Sequence, residues 1–347
     1  MTRVAVVGAG IVGASVAYHA ARAGADVILL DKALPGAGVT AHSFAWIGGP
    51  GGRDLPDAST PLRATVLSDW RRLEAELADL PVRWTGSLLW GDEQLIDEQR
   101  LAPDEHVVAA AEVLRLEPAL RVAPARALHK TTDGAVDPVA ATEAVVRGAR
   151  EHGAALRVGV LASGLRAPDG RVSGVETSEG FVPADTVVVA AGADAPVLCA
   201  SLGVRVPVEP SPSVLLRFAA PAGLVRMIVV NGRLEVRTAT DGHLLVAAGY
   251  AGEASQDDVR QRAEEVRRGL LDLFAVEAAD LSFVSGSVGM RPMPAGGLPI
   301  IGSVPGVPGL YLALMHSGVT LAPAVGRLVS GELVDGLDAE ELAGFRP

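Results

Sequence analysis

Short apolar runs recur along this chain, each ended by glycine or a polar cluster, and their period changes from place to place. The first, RVAVV at residues 3–7, is continuous and β-branched, the pattern of a strand buried on both faces. The glycines of GAGIVG follow, then ASVAYHAARAG, whose small residues predict a closely packed helix, then ADVILLD, a second buried strand. Together these make a βαβ unit of about thirty residues, the usual size. The next stretch, PGAGVTAHSFAWIGGPGGRD, has neither period and predicts loop with a short apolar core.

Further on, TPLRATVLSDWRRLEAELADL predicts one amphipathic helix entered through Thr60-Pro61, a cap followed by a first-turn proline. GSLLWGD reads as a strand and residues 104–118 as helix. DPVAATEAVVRGAREHGAALRVG repeats helix, glycine turn and strand, and RVSGVETSEGFVPADTVVVAAGA predicts a hairpin and a third buried strand. Residues 204–250 alternate in strand fashion, and DDVRQRAEEVRRGLLDLF predicts a long helix with a solvated face. The chain closes with VGMRPMPAGGLPIIGSV, the strand LYLALM, a turn at His316-Ser317-Gly318 and a small-residue helix. A β-rich middle between two α/β stretches predicts a second domain inserted into a first.

Composition narrows the class. The 347 residues are 49% hydrophobic and 20% charged, which predicts a globular chain with a large core. A net charge of −11 speaks against nucleic-acid or anionic-membrane partners, whose phosphates it would repel. No run approaches the roughly 18 apolar residues of a membrane span, and residues 4–7 are too few for a signal peptide, so the expected location is cytoplasmic. Cys199 is the only cysteine, which leaves no internal disulfide and no thiolate metal cluster; no metal site is expected. Lys32 and Lys130 are the only lysines.

Gly8, Gly10 and Gly13 follow a buried strand and open a helix, the context a GxGxxG motif needs. Gly8 allows the tight turn, Gly10 lets a pyrophosphate approach, and Gly13 lets helix and strand pack closely. The helix start at Ile11 and Val12 offers free N–H groups to phosphates. Asp31 closes the second strand 23 positions after Gly8, close to the roughly 20 expected for a ribose-binding acid, with Lys32 beside it. The motif alone does not separate NAD from FAD.

Five segments in order, VAVVGAGIVGASVAYHAARAGADVILLD, DPVAATEAVVRGAREHGA, DTVVVAAGADAPVLCASLGVRVPVEP, MRPMPAGGLPIIG and LYLALMHSGVTLAPAVGRLVSGEL, resemble the superfamily of FAD enzymes containing D-amino-acid oxidase, glycine oxidase and sarcosine oxidase. The resemblance covers essentially the whole chain. It implies an α/β protein (α+β overall), a Rossmann-like FAD-binding domain with an inserted antiparallel β-sheet substrate domain. Residues 1–45, 138–203 and 286–347 would form the first, and residues 46–137 and 204–285 the second with its cap elements. It implies that Gly8, Gly10, Gly13 and Asp31 hold the ADP half, that Val160 reaches the adenine through its backbone, and that Ala191 and Gly192 line the pyrophosphate. Gly318, Val319 and Thr320 would lie near the flavin ring and ribityl chain.

The activity implied is oxidation of the C–N bond of an amino acid, or of a cyclic or N-alkyl amino acid, by hydride transfer from Cα to flavin N5, with oxygen or another acceptor reoxidising the flavin. Such a reaction needs a carboxylate clamp, and Arg291 in GMRP matches the clamp arginine of the glycine-oxidase branch. The following turn departs from the family, with Ala295-Gly296-Gly297 where relatives often have Asp-Gly. Thr40-Ala41-His42 has the spacing of relatives whose histidine is bonded covalently to the flavin, but its surroundings differ; His42 and Ser43 are expected as non-covalent flavin neighbours. Tyr250 is a candidate for the substrate cavity, and His316 for proton transfer or flavin contact. Neither lysine matches the oxygen-activating lysine of sarcosine oxidases.

Two readings stay open beside this one: a 2-hydroxy-acid (C–O) dehydrogenase on the same scaffold, and a flavin subunit of a larger amine-dehydrogenase complex. The oligomeric state is not legible. The turn at His316-Ser317 reads as a cofactor floor, with Ser317 as N-cap, and not as a nucleophile pair, because adjacent side chains leaving a strand usually diverge.

Overall fold

The computed structural model describes residues 1–49, 60–80, 82–91, 96 and 101–347. Its first layer is a six-stranded sheet in the order Ile300–Ser303, Leu310–Leu314, Thr186–Val189, Arg3–Val7, Asp26–Asp31 and Ala155–Val158. All neighbours run parallel except the edge pair Ile300↔Leu314. The central strand shows why its sequence is continuously apolar. Val4 and Val6 enter one core with the helices Ile11–Arg22, Pro138–Glu151 and Gly318–Val334; Ala5 and Val7 enter another with the helix Ala195–Ala200 and the antiparallel strands Ala162–Arg166, Gly174–Thr177 and Gly180–Pro183.

The second layer is an eight-stranded sheet: Ser282–Pro294, Val208–Ala219, Leu244–Gly249, Glu235–Thr238, Ile228–Val230, Ser87–Leu89, Arg126–Lys130 and Glu105–Ala109. It is antiparallel apart from Ile228↔Ser87. The charged helix Gln256–Leu273 lies along it through a single stripe, Val259, Ala263, Val266 and Leu270, and starts at a Ser255–Asp258 capping box. The α/β class and the mixture of parallel and antiparallel sheets are as the sequence predicts.

Several details differ. Residues 105–109 are strand, and only Ala110–Leu116 is helix. The pairing Glu105↔Lys130 decides this, with a buried ion pair at 3.0 Å between their side chains, a tertiary contact that overrides local period. The expected single helix after residue 60 is two, Thr60–Arg63 and Val66–Glu76, with Thr65 at the break holding Arg327 Nη2 at 3.2 Å. The domain boundary expected at 286 falls inside a strand, because residues 282–294 pair with 208–219 along their whole length. Among the described residues no helix is long and apolar enough to cross a membrane, and no cluster of metal-ligating side chains occurs.

Candidate active site

The carboxyl ends of the parallel strands carry the glycine turn. Gly8 has φ +108°, and its N–H donates to Leu30 O at 2.8 Å. A Cβ on Gly13 would stand 1.9 Å from Gly8 O, so only glycine lets the first helix approach the strand this closely. Gly10 differs: it has ordinary extended backbone (φ −68°, ψ 173°), caps the helix with no side-chain bond, and a Cβ there would meet only Thr40 Oγ1 at 3.2 Å. Ile11 N donates to that same Thr40 Oγ1 at 3.3 Å. Val12 touches the start of the C-terminal helix, its Cγ2 lying 3.2 Å from where a Gly318 Cβ would be. Two helix N-termini without side-chain caps thereby converge above the sheet.

Asp31 accepts Ala9 N at 2.6 Å and Ala33 N at 2.8 Å, which ties the strand end to the glycine turn while leaving further lone pairs on both oxygens. Lys32 Nζ reaches across to Asp194 Oδ2 at 2.6 Å, an exposed pair between the loops flanking the central strand. Val160 is buried, and its N–H goes to Asp31 O at 3.0 Å, so any ligand contact of its backbone falls to the carbonyl. Ala191 and Gly192 continue from the third parallel strand, Ala191 against Gly8 and Gly192 against Pro292.

The long strand Ser282–Pro294 joins the two layers at this point. Gly289 lies under His42, whose Nδ1 is 2.8 Å from Ser287 Oγ. Arg291, two residues on, is half-buried; its Nε and Nη2 donate to Ser211 O at 3.3 Å, Ser211 Oγ at 2.9 Å and Pro212 O at 3.4 Å. Nη1 has no protein partner among the described residues. Gly249 pairs with Ser213 in the same sheet, so Tyr250, 40% exposed, leaves the sheet close to the Arg291 end. Ser43 Oγ accepts Ala45 N at 3.0 Å and shapes the His42 loop. Thr320 donates to Trp46 O at 2.7 Å while Trp70 Nε1 donates to Thr320 O at 3.0 Å; Val319 is buried in the core beside them.

One expectation is corrected. Ser317 does stand at the N-cap, but with φ +58° and no cap bond, and its Oγ lies 3.1 Å from His316 Nδ1. The left-handed backbone at Ser317 turns the two adjacent side chains toward each other. Burial lowers the His316 pKa, and the charges of Arg291 and Arg63 lower it further, so the ring is neutral near pH 7.

Sequence reasoning missed Ser211, Ser287 and Arg63. The first two are ordinary strand serines whose roles depend on cross-strand register. Arg63 carried no signal, because burial of an arginine cannot be read from a helix start.

A family model described as "FAD dependent oxidoreductase" matches residues 3–331. The chain belongs to this family. A D-amino acid dehydrogenase of Cereibacter sphaeroides is 31% identical, over 96% of this chain and 92% of that protein. A glycine oxidase of Pseudomonas aeruginosa is 29% identical over 94% and 93%. Among solved structures, an iminodiacetate oxidase from Chelativorans sp. BNC1 is 29% identical with a TM-score of 0.84, covering 99% of each chain.

The protein is therefore an FAD-dependent oxidoreductase of the amino-acid and amine-oxidising kind, with FAD as cofactor. The geometry fits that group. The unsubstituted Gly10, the N-termini beside it and the acidic strand end at Asp31 suit a dinucleotide, and the second N-terminus at Gly318 suits a ring that gains negative charge on reduction. A cleft of about 620 Å³ at the opposite ends of the strands, around Met1, Arg3, Asp26 and Asp185, holds none of these residues.

Proposed function

We propose that the protein oxidises the C–N bond of an amino acid or N-alkyl amino acid, with Arg291 holding the substrate carboxylate. One observation carries this reading: Arg291 is held by Ser211 through Nε and Nη2 while Nη1 has no partner among the described residues, and the flanking Gly289 and Pro292 meet the His42 and Gly192 loops. A guanidinium so held is pre-oriented for a carboxylate. FAD supplies the two-electron acceptor when bound. Loss of hydride from Cα requires an unprotonated amine and leaves an iminium, which releases one N–H proton as the neutral imine forms. In the tautomer whose Nδ1–H donates to Ser317 Oγ, the neutral His316 has Nε2 for that proton. His42, held by Ser287, acts as a non-covalent wall of the flavin site, and Tyr250 borders the substrate entrance.

In this reading residues 1–45, 138–203 and the segment after the long strand bind FAD, and the eight-stranded sheet roofs the substrate. Oxygen or another acceptor takes the electrons. The test is product analysis of a panel of glycine, sarcosine, proline enantiomers and other amino acids. Hydrolysis of the imine should yield a 2-oxo acid for each two electrons delivered, with one equivalent of free ammonia or amine, or with the amine kept on the same ring-opened molecule for proline; a panel with no such product refutes the assignment.

A further inference from the structure

Among the described residues, the arginines near the junction of the layers have side-chain partners except one. Arg327 pairs with Asp69 at 2.8 and 2.9 Å, Arg72 with Glu76 and Asp69, and Arg237 spends its donors on the carbonyls of Phe44, Val136 and Thr238. Arg63 is only 8% exposed, its Nε is fully buried, and its guanidinium has no hydrogen bond or ion pair among the described residues. It ends the short helix Thr60–Arg63, which packs on the C-terminal helix Gly318–Val334, the helix that begins two residues after His316. The Arg63 charge reaches the His316 ring, as does that of Arg291.

A buried guanidinium without an anion is unfavourable, and the protein retains it on the short helix packed against Gly318–Val334, while Arg291 also lacks a partner on Nη1 among the described residues. Nothing in the described protein supplies the missing charge, and the neutral His316 ring does not compete for it. We propose that Arg63 is a second anion clamp of the substrate site, and that the substrate is an amine or amino acid carrying two carboxylates. Arg291 takes the carboxylate next to the oxidised carbon, Arg63 the other. This rests on the reading of Arg291 given above.

The test uses the holoenzyme and two unreactive probes, acetate and malonate, titrated while the flavin absorption spectrum is followed. Malonate should bind at least tenfold more tightly than acetate. Arg63→Gln should weaken malonate at least tenfold while changing acetate less than twofold, and Arg63→Lys should restore part of the loss. Because the variant removes an unpaired buried charge, ligand-free Arg63→Gln should melt no lower than the wild type, and malonate should raise its Tm less. A Tm that falls without ligand, or equal losses for both probes, overturns the proposal. So does an unchanged malonate-to-acetate ratio accompanied by a shifted flavin potential, which would assign Arg63 to the flavin instead. Failure of the Arg291 reading appears separately, as acetate binding that Arg291→Gln leaves unaltered.

Discussion

Two glycines of the same turn should respond to alanine in opposite ways. At Gly13 the added Cβ would lie 1.9 Å from Gly8 O, a backbone atom, against the 3.0 Å or more that real contacts keep. The first helix would have to move out by about 1 Å, and it is the element on which both Pro138–Glu151 and Gly318–Val334 pack. Overpacking of this kind costs about 1–3 kcal/mol and more where backbone must shift. At Gly10 the backbone angles suit any residue and the nearest atom, Thr40 Oγ1, is 3.2 Å away. There the folded chain loses about 1 kcal/mol at most, through a poorer N-cap. In the proposed cradle, however, a methyl at Gly10 would occupy the space of the pyrophosphate. Gly10→Ala should therefore bind FAD about 10- to 100-fold more weakly, about 1.4–2.8 kcal/mol, with a nearly unchanged apoprotein Tm. Gly13→Ala should lower the apoprotein Tm by several degrees. Apoprotein melting and FAD titration by fluorescence quenching separate the two effects. Equal melting losses, or unaltered FAD affinity in Gly10→Ala, would refute the cradle.

Replacing Arg291 by Ala should raise KM for carboxylate substrates about 100-fold, with a smaller change in kcat; steady-state kinetics checks it. Acid precipitation should release all flavin into the supernatant, since His42 is engaged by Ser287, and retained yellow pellet would establish a covalent bond instead. Glu117 is fully buried beneath the Arg226 and Met227 N–H groups, and burial pushes its carboxyl up to about 7 although those donors favour the charged form. The folded state then binds the proton that the unfolded state has lost, so stability should fall as pH rises from about 4.5 to 7, by at most about 3 kcal/mol. Glu117→Gln should remove that slope. The opposite contribution of His19, whose imidazole burial lowers to about 4, would remain, and the variant's Tm should rise between about pH 4 and 6.5.

The central strands Arg3–Val7, Thr186–Val189 and Leu310–Leu314 were legible because they are almost wholly buried and written as short apolar runs, beside a glycine motif with local spacing, whereas the exposed edge strand Ala155–Val158 was legible only from the helix and glycine turn before it. The strand at 105–109 was not, since a buried Lys130 partner rather than its own period makes it a strand. Arg291 could be singled out from the residues around it, but its orientation depends on Ser211, 80 positions away and adjacent only through sheet register. The His316–Ser317 contact was misjudged because it depends on a left-handed backbone angle at a non-glycine residue, which no side-chain pattern announces. Arg63 was invisible for a related reason: whether an arginine is solvated or buried without a counter-ion is decided by elements that pack over it.

The most direct test of the account is anaerobic mixing of the yellow holoenzyme with amino acids, iminodiacetate and 2-hydroxy acids while absorbance near 450 nm is recorded. Bleaching by an amino or N-alkyl amino acid, and none by the matching 2-hydroxy acid, is the predicted result. Bleaching by 2-hydroxy acids alone would contradict it.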